Sequence, residues 1–341
     1  MLRIFIILLC IVLSAVFSSD LLAQQPSDEK KETTEKKETP QKKETPAETI
    51  LIEKGGVLLP RGTLQIEPSF QYSYVSRNLI SISGFYILEA IVIGEIAVSD
   101  IKRDILQGAI TARYGITSRL QAEVKVPLIY RSDREVRGPG TTEISEHTVT
   151  DIGLGDIEGA LFYHLILSKG WIPDIILNCR VKSTTGRDPY DLKVDSEGRF
   201  KELPTGNGHW GVSTGFTVVK VSDPAVFFGS FNYYWNIKRD VNRTIGEVDP
   251  GDAIEGSFGI AYALSEKLSI STQYQHRWTY QTKVRGDKIL GTYLSAGTLF
   301  LGGNYSISKN MSISLQVGIG VTNDAPDVQV TLLMPLNFKI F

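Results

Sequence analysis

Cysteine, histidine, methionine and a surplus of either charge are all scarce in this chain. Its 341 residues hold two Cys, four His and three Met, and 36 basic residues stand against 38 acidic ones for a formal net charge of -2. That balance excludes the basic footprint of a nucleic-acid binder. Cys10 lies inside the first apolar run, so Cys179 has no partner for an internal disulfide; lacking a neighbouring His and acid, it reads as a small buried apolar residue. His147, His164, His209 and His276 are scattered singly, with neither a G-x-S-x-G elbow nor an H-E-x-x-H pair. No catalytic residue, cofactor or metal is therefore expected, and the chain does not read as an enzyme. Asp151 and Asp156 of DIGLGDIEG imitate a metal loop only superficially, because no further acidic ligands follow at calcium-loop spacing.

Long hydrophobic runs are missing beyond the start of the chain. Residues 1–23 carry Arg3, the run Ile4 to Leu13 and small residues up to Ala23, the pattern of a secretory signal peptide. Residues 24–49 contain the near-repeats KKETT, KKETP and KKETP starting at Lys30, Lys36 and Lys42, with no apolar side chain longer than that of Ala47. Such a segment cannot bury enough surface to offset its ordering entropy, and a disordered charged linker is expected, available for periplasmic contacts. The most apolar later stretch, 85–98, carries Glu89 and Glu95 and is no spanning helix.

What is abundant is glycine, tyrosine and phenylalanine, at 31, 14 and 14 residues, the profile of many short turns and strands. From Gly62 onward the dominant period is two. Leu64, Ile66, Phe70, Tyr72 and Tyr74 alternate with Gln65, Glu67, Ser69, Gln71 and Ser73, and Met311, Ile313, Leu315, Val317 and Ile319 with Ser312, Ser314, Gln316 and Gly318. The runs are long enough to cross a bilayer when tilted, and their connections alternate tight and long. Aromatic residues gather at both ends of the apolar faces: Trp210, Trp235, Trp278 and Tyr280 towards the long loops, Trp171, Tyr262 and Phe338 by the tight turns. The expectation is all-β: a transmembrane, antiparallel, up-and-down β-barrel of about twelve strands over residues 50–341, placed in the outer membrane of a Gram-negative-type bacterium with the N-terminal tail in the periplasm. The stretch 78–102, apolar on both faces, reads either as a plug formed by Phe85, Ile87, Leu88 and Ile91 or as an extra hairpin making fourteen strands.

The alternation turns Glu67, Arg113, Glu123, Lys125, Arg131, Glu158, Arg180, Lys182, Glu255, Arg277 and Lys283 inward as candidate lumen-lining residues. Both signs are mixed, which predicts a cross-strand network more than a charge-selective filter. Twelve strands fall between packed eight-stranded barrels and open porins, so a narrow path is expected. In LPTGNGHWG, 203–211, turn chemistry with positive φ at Gly206 to Gly208 is preferred over a loop folded into the pore. The terminal Phe341 suggests engagement by the barrel-assembly machinery, although Leu336, Phe338 and Ile340 fall one residue out of register with it.

Four stretches carry a family resemblance: GTLQIEPSFQYSY at 62–74, KRDILQGAITARYGITSRLQAEVKVPLIYR at 102–131, GLGDIEGALFYHL at 153–165 and LPTGNGHWGVSTGFTVVKVSDPAVFFGSFNYYWN at 203–236. In this order they resemble the outer-membrane "transporter" family labelled MetA-pathway of phenol degradation. The resemblance implies passage of aromatic or other small hydrophobic compounds across the outer membrane and assigns no binding residue. The expected function is a passive channel for small solutes, aromatic or hydrophobic ones included, with outer-membrane lipid and those solutes as partners. The alternative is a closed structural or partner-binding barrel.

Overall fold

The computed structural model describes residues 57–76, 80–82, 85–87, 99–137, 145–193 and 200–340. Among them no helix occurs. Twelve antiparallel staves follow one another in chain order: β1 (Thr63–Val75), β2 (Ser99–Gly115), β3 (Leu120–Arg137), β4 (Ser145–Leu154 continued by Glu158–Ile166), β5 (Asp174–Lys182), β6 (Gly211–Ser222), β7 (Ala225–Asn236), β8 (Ala253–Ala263), β9 (Leu268–Thr279), β10 (Leu294–Ser308), β11 (Met311–Gly320) and β12 (Val328–Leu333 continued by Leu336–Lys339). The breaks in β4 and β12 divide the twelve staves into fourteen hydrogen-bonded segments. The last stave pairs back onto the first, with Ser69 opposite Leu333 and Leu64 opposite Phe338, so the sheet has no free edge.

The side-chain distribution is inverted relative to a water-soluble protein. Ile110, Leu161 and Phe258 are more than half exposed on the outer face, whereas Gln65, Arg103, Gln121 and Asn304 are buried inside. Lipid is the solvent that suits such an exterior, and barrel closure satisfies the backbone groups that lipid cannot. Cys179 points outward with its neighbours Leu177 and Val181 and is exposed; the expectation of a buried cysteine was wrong because alternation in β5 puts odd-numbered residues on the outer face.

Tight connections lie at one end, the turn end. There Ile116 N donates to Leu120 O, Leu264 N donates to Leu268 O, and the peptide bond between Asp223 and Pro224 is cis. At the opposite, loop end, residues 183–210, 237–252, 280–293 and 321–327 connect the staves. Two of these loops share a small sheet built from Arg239–Asp240, Glu247–Asp249, Lys283–Val284 and Asp287–Lys288. β9 ends at Thr279, and Lys283 belongs to that small sheet.

The hairpin of β2 and β3 is long, pairing from Gly115 with Gln121 out to Ser99 with Arg137, and the first part of β4 pairs with the outer half of β3. Over 78–102, Ile80–Ile82 pairs with Phe85–Ile87 in a ladder separate from the barrel, and Ser99 to Lys102 belong to β2; the fourteen-strand alternative is not what forms. Of the four plug candidates, Phe85 and Ile87 lie in that small ladder, and Leu88 and Ile91 lie outside the described residues.

Candidate functional site

Alternation turns the even positions of β7 and the odd positions of β8 and β9 inward, and with their counterparts around the barrel they enclose a cavity of about 370 Å³. Its wall is asymmetric. On β1 to β5, Arg113 bridges Glu67 at 2.9 Å and Glu123 at 2.7 Å, and Arg180 bridges Glu123 and Glu158, each at 2.8 Å. Lys125 stands opposite Glu158 across the β3–β4 ladder. Three carboxylates and three cations thus form one continuous row without net charge. Each ion has given up hydration in a confined space, and the alternating contacts compensate it. On the far side the lining is uncharged: Gln273 and Gln275 from β9, Gln316 from β11, Gln329 and Thr331 from β12, and Ser257 of β8 sharing a 2.7 Å hydrogen bond with Ser230 of β7. Phe162, Phe228, Phe300 and Leu333 add apolar surface. Between the two halves, Arg277 approaches Glu255 at 3.4 Å and lies 4.0 Å over the Tyr234 ring.

The loop end is closed by chain. Residues 203–209 are buried one after another, which a surface loop never shows. Asp156, in the break of β4, is the anchor: one carboxylate oxygen accepts from Gly186 N at 3.0 Å, and the other from Lys182 Nζ at 2.8 Å and Asn207 N at 3.0 Å. Lys182 Nζ also donates to Asn207 Oδ1 and, at 2.7 Å, to His209 O. Thr205 Oγ1 donates to Leu154 O at 2.7 Å, Leu203 N donates to Asp151, and Arg187 pairs with Asp151. Glycine is required where the loop crosses itself: a Cβ on Gly206 would stand 2.4 Å from Asp156 Oδ1, and one on Gly186 would stand 2.6 Å from Gly206 Cα. Of the expected positive-φ positions only Gly208 has one, at 73°. Turn chemistry is thus the smaller part of LPTGNGHWG, and folding into the barrel mouth the larger.

His209 completes this seal. One ring nitrogen lies 3.0 Å from Ile237 O and the other 3.0 Å from Tyr190 Oη. Burial, with the positive charge of Arg239 and Lys182 nearby, depresses its pKa to about 4, and burial raises that of the Tyr190 hydroxyl. His209 is therefore a neutral imidazole, donating to Ile237 O and accepting from Tyr190.

The turn end is closed by different means. The chain entering β1 brings Val57 against Val219, Val226, Phe228 and Ala261, and Leu58 against Ala160, Phe162 and Ile176. Leu59 is 2% exposed, and its N–H donates to Gln121 Oε1 at 2.9 Å. Phe162 and Phe228 belong at once to these clusters and to the cavity wall, so this apolar segment backs the cavity from the turn end and supports its floor.

Of the residues read as lumen-lining, Glu67, Arg113, Glu123, Lys125, Glu158, Arg180 and Glu255 surround the cavity. Arg277 borders a smaller cavity with Asn207 and His209. Arg131 and Lys182 hold the loop-end seal: Arg131 Nη1 donates to Pro204 O at 3.4 Å and pairs with Asp133, which Arg103 also engages. Lys283 lies outside the barrel beside Asp249. Asp151 and Asp156 serve as loop anchors. His276 lies on the outer face between Tyr274 Oη at 2.7 Å and Ser295 Oγ at 2.9 Å. Sequence reasoning missed the floor support given by 57–59 and the glutamine wall; the spacing of Gln273 and Gln275 was available as a signal for the second.

The structure resembles an outer-membrane channel from Pseudomonas putida F1, with a TM-score of 0.59 at 14% identity, covering 83% of this chain and 97% of that one. A toluene transporter, TodX, of Pseudomonas putida gives 0.39 at 11% identity over 84% and 91% of the two chains, and the translocator domain of the autotransporter NalP from Neisseria meningitidis gives 0.44 at 9% over 85% and 92%. A sequence model of the family described as "Putative MetA-pathway of phenol degradation" matches residues 53–338. The match takes in the barrel from β1 to Phe338, one residue short of the end of β12, and the chain belongs to this family.

Proposed function

We propose that the chain is a passive outer-membrane channel for small solutes, aromatic and hydrophobic ones among them. The observation that carries this reading is a lined cavity of about 370 Å³ whose two closures, 203–209 and 57–59, are not part of the barrel wall. Either can leave without opening a backbone ladder between staves. The balanced row of Glu67, Arg113, Glu123, Lys125, Glu158 and Arg180 serves as an internal brace and leaves no single-sign ring to select ions. On this reading residues 1–23 are removed on export, the barrel-assembly machinery inserts residues 50–341, and 24–49 hang in the periplasm, where their charges can contact a partner. The turn end then faces the periplasm and the loop end the exterior, as in barrels generally. Closure at both ends also favours a second reading, a structural barrel that passes nothing.

Planar-bilayer conductance of the refolded full chain separates the two, repeated with Leu58 and Leu59 both changed to Asp and with residues 80–98 deleted. Conductance in the wild type, or its appearance in the Asp variant, supports a channel whose floor moves. Its appearance only in the deletion would make 80–98 the plug. Silence in all three promotes the structural barrel.

A further inference from the structure

The uncharged wall is the part of the cavity that passage alone leaves unexplained. A channel for bare hydrocarbons has no use for four glutamines along one side, since each amide that a hydrocarbon covers loses hydrogen bonds and regains none. The opposite wall offers little to an ion: Arg113 and Arg180 are each held by two carboxylates at 2.7–2.9 Å, and an ionised solute would have to break into that row. Gln273 is 5% exposed and lines the cavity, and its Oε1 has no hydrogen-bond partner among the described residues. It is an acceptor with no donor, on the side where Gln275, Gln316 and Gln329 supply further amides. Phe228 and Phe300 border the same space and suit an apolar body. At about 370 Å³ the cavity is at the small end of ligand-site volumes.

We infer that the cavity binds an uncharged solute bearing an O–H or N–H donor on a compact apolar body, the donor going to the glutamine wall, and that it discriminates against both the hydrocarbon and the ionised analogue. This rests on the channel reading and narrows its cargo. A donor placed on an otherwise unmatched buried acceptor is favoured over a group that leaves it unmatched, which is the stronger kind of discrimination open to a binding site.

The test titrates the refolded full chain in detergent micelles with toluene, benzyl alcohol and benzoate, three probes of one ring size, with empty micelles subtracted. Benzyl alcohol is expected to bind about tenfold more tightly than either of the others. In Gln273→Leu the alcohol falls level with toluene. Gln316→Leu tests the same wall should Gln273→Leu not yield the folded barrel. Toluene or benzoate binding as tightly as the alcohol, no binding by any probe, or a preference unchanged in the folded variants would overturn the inference. Binding in micelles is independent of flux. Preference without conductance would leave the site standing and sink the channel, and conductance without preference would do the reverse.

Discussion

The two ends of the lumen are shut by opposite chemistries. At the loop end, 203–209 is held by directional contacts onto fixed points: Asp156 receives three donors, and Lys182 reaches Asp156, Asn207 and His209. At the turn end, 57–59 is held by apolar contact with Phe162, Ile176, Val219, Val226 and Phe228, and the hydrogen bond of Leu59 N to Gln121 is a single addition. A polar network in a low-dielectric site is strong when complete and costly when one member is lost, so it behaves as all or none. Apolar contact is roughly proportional to area and weakens by degrees. A lumen built this way has one switch-like closure and one graded closure.

The sharpest way to break that contrast is Asp156→Ala. It removes the acceptor shared by Gly186 N, Asn207 N and Lys182, and leaves the Lys182 ammonium buried without its carboxylate. Breaking a buried pair from one side costs about 3–5 kcal/mol, enough to release the loop. Hydrogen exchange at Gly186 and Asn207 should accelerate by about two orders of magnitude or more, while the amide of Leu59 keeps its rate. Equal acceleration at Leu59 would make the two closures one cooperative unit.

Leu59→Ala probes the other side. Truncating a buried leucine costs about 2–5 kcal/mol, most where the site cannot collapse, and a chain end that can withdraw should convert that cost into partial opening. In a Cys179→Ser background, needed because Cys179 is exposed, a cysteine introduced at Val57 should become more reactive to a thiol reagent in steps through Leu58→Ala, Leu59→Ala and the double variant. A single jump to full reactivity at the first substitution would contradict a graded closure.

Gly206→Ala returns to the loop end with a smaller push. Its Cβ would meet Asp156 Oδ1 at 2.4 Å and the Gly186 backbone at 2.9 Å, and backbone cannot swing aside. Overpacking of this kind costs about 1–3 kcal/mol. Gly208→Ala meets a φ of 73° and Asp188, so both substitutions should loosen the loop. Exchange at Asn207 that is unchanged in Gly206→Ala would show that the crossing is not tight.

The barrel was legible because period-two alternation is a property of every stave and survives errors at its ends. Strands such as 63–75 and 225–236 follow from their own residues. The limits of β2, β3 and β4 did not, because Ser132 to Arg137 and Ser145 to Asp151 are polar apart from Val136 and Val149 and show no alternation; only their mutual pairing extends them. The row of charges on β1 to β5 was readable as inward residues but not as a chain of pairs, since pairing depends on stagger between staves. The two closures were the least legible. LPTGNGH has the glycine and asparagine of an ordinary turn, and only the position of Asp156 and Lys182 behind it makes it a seal. Val57, Leu58 and Leu59 are three apolar residues before a strand, a pattern too short for any periodicity, and the apolar ring that receives them is assembled from β4 to β8.

The smallest expected effect is also the one most specific to the polar closure. His209 in the closed loop has a pKa of about 4, against an ordinary value of 6.5 once the loop is open and hydrated. Between those values the open loop binds a proton that the closed loop refuses, so closure weakens as pH falls from 6.5 towards 4 and is unaffected above about pH 7.5. The groups facing the ring favour this sign: Arg239 and Lys182 repel an imidazolium, Asp188 partly offsets them, and Tyr190 must reverse its hydroxyl to accept from a doubly protonated ring. At pH 5.5 proton uptake favours the open loop about tenfold relative to pH 7.5, and loop-end exchange should rise by about that factor after correction for intrinsic amide rates. The apolar clusters around Val57 and Leu58 contain no titratable side chain and should show no matching change. His209→Gln, which cannot take up the proton, should flatten the loop-end response. A pH response that persists in that variant would assign it to another group and remove His209 from the seal.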